Sequence, residues 1–224
     1  MKIDLNADLG EGAGFDAALM PLITSANVCC GKHAGGPDEI RDTLALANSH
    51  GVAVGAHPGY NDREHFGRLE MHLGSNELRE LLRSQIAAIP DARYVKAHGA
   101  LYNQACRDDA VAGSIAEVAA KRGLPVVGLP GSRLAAAAAR FGAPFVAEGF
   151  ADRRYREDGS LVPRNEPEAF VHDPAEAVRQ VERLIRDRGI RTVCIHGDNP
   201  QAIEFAAAVR QALLDAGFHL CPFA

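Results

Sequence analysis

Four histidines stand just beyond short apolar runs: His33 in "GKHAGG", His57 in "GAHPGY", His98 in "KAHGAL" and His196 in "CIHGDNP". Three of them are followed directly by Gly or Pro. Imidazole titrates near neutrality and also ligates metals, so this placement suits acid–base work or metal binding. Asp8 and Asp198 offer a carboxylate partner to either chemistry. Taken singly, a histidine such as His33 reads as a surface loop residue; the repetition argues for a shared pocket. Lys96 is suited to stabilising negative charge, or to pairing with an inner acid. Asp198 and Asn199 precede Pro200, where capping a helix is a competing role. His50, His65 and His72 are given no chemistry.

The stretch "NVCCGKHAGG", Asn27 to Gly36, resembles half a zinc site, but no CxxC or HxxxH lies near it to complete one. A GxxxxGK[ST] phosphate loop is absent as well. What remains is a glycine-flexed turn leaving a strand, able to bring backbone close to a ligand. "GLPGS", Gly128 to Ser132, is a second such turn, and its amides could hold a phosphate at a helix N-terminus. The five cysteines are scattered and odd in number, so free thiols are expected. Cys194 and Cys221 lie in apolar strand-like runs and read as buried.

These residues must be positioned by regular elements. Strand candidates begin near residues 2, 25, 52, 93, 125, 144, 192 and 218, and helical patterns lie between them. "PDEIRDTLALANSHG" opens on Pro and acids and closes at Gly51. "SNELRELLRSQIAAI" offers Ser75 as N-cap, with Leu78, Leu81, Leu82 and Ile86 on one face. About eight βα units follow one another with no linker, which predicts one domain over residues 1–224 built on a parallel sheet. Polar residues end nearly every strand: Asp8, Cys30 and His33, His57, Lys96 and His98, Gly131 and Ser132, Glu148, then His196 and Asp198. Barrel enzymes gather chemistry at that rim, whereas open sheets bind at one switch point. A TIM-like parallel (β/α) barrel is therefore expected, with an irregular or seven-stranded variant open at this length.

Two connections are long, Pro58 to Gly74 and Ala151 to His172. Long loops commonly wall a site. The second carries Arg153, Arg154, Arg156 and Arg164, suited to carboxylate or phosphate, or else to a solvated surface. With 224 residues, 47% hydrophobic content and net charge −5, the composition is that of a soluble globular protein without a basic field for nucleic acid. No secretory signal or membrane-length apolar run is evident, so a cytoplasmic location is expected.

The segments "IDLNADLGEGAG", "LITSANVCCGKHAGGP", "GVAVGAHPGYNDREHFGR", "VKAHGALYN", "EGFADRRYREDGSLVPR" and "HGDNP" together resemble the LamB/YcsF family, in matching order from residue 2 to Phe223. The resemblance implies a barrel fold and a cytoplasmic protein acting as the A subunit of 5-oxoprolinase. It implies opening of the lactam of 5-oxoproline to L-glutamate with ATP, with Mg2+, together with B and C subunits. On that reading Asp8, His57, Lys96 and His98 are the catalytic candidates. Asn6, His33, Gly131, Ser132, Glu148, Arg153, Arg164, His196 and Asp198 are candidates for substrate or phosphate. Should a metal be bound, Asp8, His57, His98 and His196 are its candidate ligands. Two departures from the family pattern stand out. Lys32 and Gly36 replace Phe and Asp in "CGFHAGDP", and Ala97 replaces Pro in "VKPHGALYN". The acid missing at Gly36 is expected to matter for catalysis unless the position only shapes the turn. Two rival functions are a metal-dependent, deacetylase-like amidase and a non-catalytic subunit that captures a small carboxylate.

Overall fold

The computed structural model describes residues 1–196 and 201–224, with Gln201 placed by its backbone alone. Its strands are β1 (Lys2–Leu9), β2 (Ser25–Cys29), β3 (Ala53–His57), β4 (Val95–Lys96), β5 (Val126–Gly128), β6 (Phe145–Phe150), β7 (Thr192–Cys194) and β8 (His219–Leu220). The helices are α1 (Asp16–Leu19), α2 (Pro37–His50), α3 (Ser75–Ala87), α4 (Gly99–Ala105), α5 (Asp109–Lys121), α6 (Arg133–Phe141), α7 (Pro174–Arg188) and α8 (Gln201–Asp215). Among the described residues, β1 to β7 pair in chain order, all parallel, and β1 meets both β2 and β7. The result is a closed barrel of seven strands. The eighth expected strand exists but lies outside the ring: β8 pairs only with Lys2 and Ile3 at the start of β1.

The alternation along β1 explains the barrel. Ile3, Leu5, Ala7 and Leu9 belong to the main hydrophobic cluster, which packs the strands against the helices. Asp4, Asn6 and Asp8 point the other way, into the barrel, where they meet Ser25, Asn27 and Lys96. A strand whose side chains alternate can thus supply core on one face and a polar interior on the other. The lower end of the barrel is filled by Tyr94, Val127 and Val146, with Phe223 packed against them. Gly55 makes room for this: a Cβ there would fall 2.1 Å from the Tyr94 ring.

Helix ends mostly follow the expected chemistry. Gly51 and Gly189 close α2 and α7 in the left-handed conformation, and Asp173 caps α7 by accepting from the Ala175 N–H. At α3 the N-cap is Gly74 rather than Ser75, because the Leu78 N–H already bonds to the Gly74 carbonyl and draws Ser75 into the first turn. Leu78, Leu82 and Ile86 are buried as expected, while Leu81 packs at the margin of the core.

Candidate active site

A cavity of about 800 Å³ opens at the C-terminal ends of the strands. Its floor comes from strand ends: Asp8 from β1, His57 from β3, Lys96 from β4 and Phe150 from β6, joined by His98 and His196 just beyond β4 and β7. Of the histidines expected at the rim, His57, His98 and His196 line the cavity. His33 is buried behind them, its ring stacked on His98 with centroids 3.8 Å apart.

The floor rests on a buried polar network. Lys96 Nζ lies 3.0 Å from both Asp8 Oδ1 and Glu148 Oε1. It also reaches Asn6 Oδ1 at 3.2 Å. Asn6 and Glu148, expected as substrate contacts, sit beneath the cavity surface; Asn6 donates to Glu148 and to Thr192. Burial opposes the Lys96 charge, but Asp8 and its other anionic neighbours more than offset this and hold the ammonium well above its ordinary range. Burial likewise opposes ionisation of Asp8, yet His57 and Lys96 hold it well below the usual carboxylate value. For Glu148 burial wins, and its pKa is raised. Glu148 Oε2 and the Tyr102 hydroxyl are each buried without a hydrogen-bond partner among the described residues.

The histidines are held by backbone. His57 Nδ1 lies 2.8 Å from the Lys96 carbonyl, and His98 Nε2 lies 2.8 Å from the Phe66 carbonyl. Phe66 has φ of 57°, a left-handed conformation unusual for a bulky residue and worth roughly 1–3 kcal/mol of strain. That strain aims its carbonyl at His98. The Pro58–Gly74 loop carrying Phe66 is tied down further by Arg63, whose guanidinium donates to the carbonyls of Gly31 and Gly35. The turn "GKHAGG" is therefore clamped from outside, and Gly35 cannot be replaced, since a Cβ would fall 2.1 Å from the Gly10 oxygen.

Glu11 is the main residue that strand-end reasoning missed. Its Oε1 lies 3.1 Å from His33 Nε2, 3.3 Å from His98 Nδ1 and 3.8 Å from His57 Nε2. Burial opposes its charge, but His33 and His98 hold its pKa far below the ordinary value. Two sets of side chains bring donor atoms within 4.8 Å of one another: Glu11, His33, His57 and His98, and separately Asp8, Cys194 and His196. Asp152 was also missed; its Oδ2 lies 2.8 Å from His196 Nδ1 and orients that ring.

The opposite wall is cationic. Arg68, Arg107, Arg153, Arg156 and Arg164 all line the cavity, as do Gly131 and Ser132 at the start of α6. The Ser132 hydroxyl is already engaged, capping α6 at the Ala135 N–H. Arg153 donates to the Val162 and Ala169 carbonyls, and the guanidinium groups of Arg153 and Arg164 lie over the Phe170 ring. Arg154, grouped with these by sequence, faces away and pairs with Glu176. Lys32 and Gly36 do not line the cavity. Gly36 is the N-cap of α2, with an extended φ of −141° that any residue can adopt. Asp198 and Asn199 lie outside the described residues.

A parallel barrel whose strand ends hold a Lys–carboxylate–histidine floor under an arginine wall defines an enzyme-like pocket with a cationic side. Residues 3–224 match the LamB/YcsF family, and the chain belongs to it. A relative from Neisseria meningitidis (serogroup C, strain 053442), named as the A subunit of 5-oxoprolinase, is 45% identical, with 96% of this chain and 97% of the relative covered. A protein of the same name from Rhodopseudomonas palustris (strain BisB18) is 44% identical over 99% and 98% of the two chains. The crystal structure of the lactam utilization protein from Thermus thermophilus superposes with a TM-score of 0.92 at 41% identity, covering both chains fully. A T48 deacetylase, at 14% identity and a TM-score of 0.55 over 98% of this chain and 86% of that one, shares the fold alone.

Proposed function

We propose that the chain is the A subunit of a 5-oxoprolinase, opening the lactam of 5-oxo-L-proline to L-glutamate with ATP, in the cytoplasm and together with B and C subunits. The observation that carries this reading is the near-full-length similarity to relatives bearing that name. The pocket suits the chemistry. A lactam carbonyl is resonance-stabilised, and its hydrolysis needs a base for water and a cation for the developing oxyanion. With no metal ion between them, the facing ring nitrogens of His57 and His98, 3.0 Å apart, are placed to take the proton from water. Asp8, held ionised by His57 and Lys96, lies 3.4 Å from His57 and 3.0 Å from Lys96 and steadies both. Lys96 offers the ammonium.

The cationic wall and the amides at Gly131 fit a polyanion, so Arg68, Arg107, Arg156 and Arg164 would hold the phosphates of ATP with Mg2+. ATP supplies a phosphoryl group that turns the carbonyl into a better electrophile. The sequence holds no Walker loop, so the isolated chain is expected to be silent. Glutamate release from 5-oxoproline, assayed with and without ATP and with and without B and C subunits, tests the reading. No release in the full assembly would overturn it. A second reading, an ATP-independent amide hydrolase, is favoured by the Glu11–His33–His57–His98 cluster; glutamate release by the chain without ATP would support it.

A further inference from the structure

We infer that Glu11, His33, His57 and His98 form a binding site for a divalent transition-metal ion at the inner edge of the cavity. The ring tautomers are fixed by their surroundings. A backbone carbonyl can only accept, so the nitrogens facing one must carry hydrogen: Nδ1 in His57, against Lys96, and Nε2 in His98, against Phe66. In a neutral imidazole the other nitrogen then presents a lone pair. Those two nitrogens, His57 Nε2 and His98 Nδ1, face each other at 3.0 Å. Two acceptors at that distance repel, and the Glu11 carboxylate beside them adds a third. The arrangement requires a cation.

A shared proton and a metal ion are the two candidates, and the geometry favours the metal. A proton bridges two atoms, whereas here four donor atoms crowd one point. In a tetrahedral site with metal–ligand bonds of about 2.0–2.1 Å, ligand atoms lie roughly 3.3–3.4 Å from one another. The measured separations are 3.0 Å for His57–His98, 3.1 Å for His33–Glu11, 3.3 Å for His98–Glu11 and 3.8 Å for His57–Glu11. Pinning the outer ring nitrogen on a carbonyl is also the usual support of a metal-bound histidine. Three imidazoles with one carboxylate select zinc, cobalt or manganese over magnesium or calcium. All four side chains are buried, yet Glu11, His57 and His98 border the cavity, so an ion there is accessible from it. The site does not depend on the lactam-opening reading, because metal uptake is measured without turnover.

The test strips the purified chain with a chelator and titrates it with Co2+, followed by its visible ligand-field absorption, then with competing Zn2+. The expected result is one equivalent of Co2+ bound with a visible band, displaced by Zn2+. Glu11→Gln and His98→Gln should each weaken Co2+ binding by at least about 10–100-fold. His65→Gln, on an exposed side chain outside the cluster, should bind as the native chain does. ¹⁵N NMR of the native chain adds a readout that needs no variant: Zn2+ should shift the His57 Nε2 and His98 Nδ1 resonances while the opposite nitrogens remain N–H. A folded native chain that takes up no Co2+, Zn2+ or Mn2+ overturns the inference, as does unchanged binding in both folded variants. A proton shared between His57 and His98 that persists when metal is supplied overturns it as well.

Discussion

The floor and the wall of the cavity are built on opposite plans. The floor stands on strands: Asp8, Lys96 and Glu148 are interlocked at 3.0 Å inside the barrel, where burial makes each charge depend on the others. The wall stands mostly on the Ala151–His172 loop, whose few bridges, Arg153 to Phe170 and Tyr155 to Leu161, tie it to itself. Arg156 there is half exposed and pairs with Glu166 at the surface. The floor charges sit where only one another can satisfy them. Arg156, proposed to meet a ligand, sits where water can reach it.

That contrast can be broken by substitution. Lys96→Met should have the largest effect, stripping Asp8 and Glu148 of their countercharge. Removing one partner of a buried pair costs about 3–5 kcal/mol, readable by urea denaturation. An equal loss in Arg156→Ala, expected within about 0.5 kcal/mol, would erase the distinction between floor and wall. On the proposed function, His98→Ala should lower kcat by about 10²–10⁴-fold with little change in KM.

The next effect is one of pH. Burial raises Asp4, at the bottom of the barrel, from 3.8 to about 6, against hydrogen bonds from Ser25, Thr192 and Thr24. A carboxyl raised on folding holds its proton better in the folded state. Its stabilising contribution is therefore full below about pH 4 and lost as pH rises to about 6, a change of about 3 kcal/mol. Asp4→Asn cannot ionise, so the stability difference between native chain and variant should change across that window and stay flat above it. Asp8 and Glu11, both lowered, act in the opposite sense at more acid pH.

Smaller effects sharpen the wall. Arg156→Ala should raise KM by about tenfold or somewhat more at constant kcat, the low end of the worth of one charged hydrogen bond. Gly36→Asp should change stability by only a few tenths of a kcal/mol and leave the rate alone, since it exchanges one helix cap for another. A Cβ there meets Glu39 Oε2 at 2.8 Å, and that flexible side chain can move aside. A large gain in rate would restore a catalytic role to the acid missing at this position.

All eight strands were legible in the sequence, because each is an apolar or alternating run between turn residues, and their polar exits located the floor. What was not legible depends on three-dimensional closure. Glu11 lies past the end of β1 in a turn where Gly10 and Gly12 take φ of 73° and 80°, and only the folded turn brings it back to the histidines. A lone acid between left-handed glycines was the signal available. The inward set Asp4, Asn6 and Asp8 was visible as polar residues at every second position of β1, opposite Ile3, Leu5, Ala7 and Leu9. It marks a polar barrel interior, for which a strand-end reading has no place. The arginines of the long loop could not be sorted by charge alone. Their acid partners decide which face the cavity, and Glu176, which draws Arg154 away, lies on α7.

The packing of Tyr94, Val127, Val146 and Phe223 at the lower end of the barrel has a kinetic consequence. Among the described residues it closes the barrel beneath the pocket. Whatever enters the pocket must leave by the same mouth. Product still in the well would exclude the next substrate, and a partner protein seated over that opening would govern admission and release together.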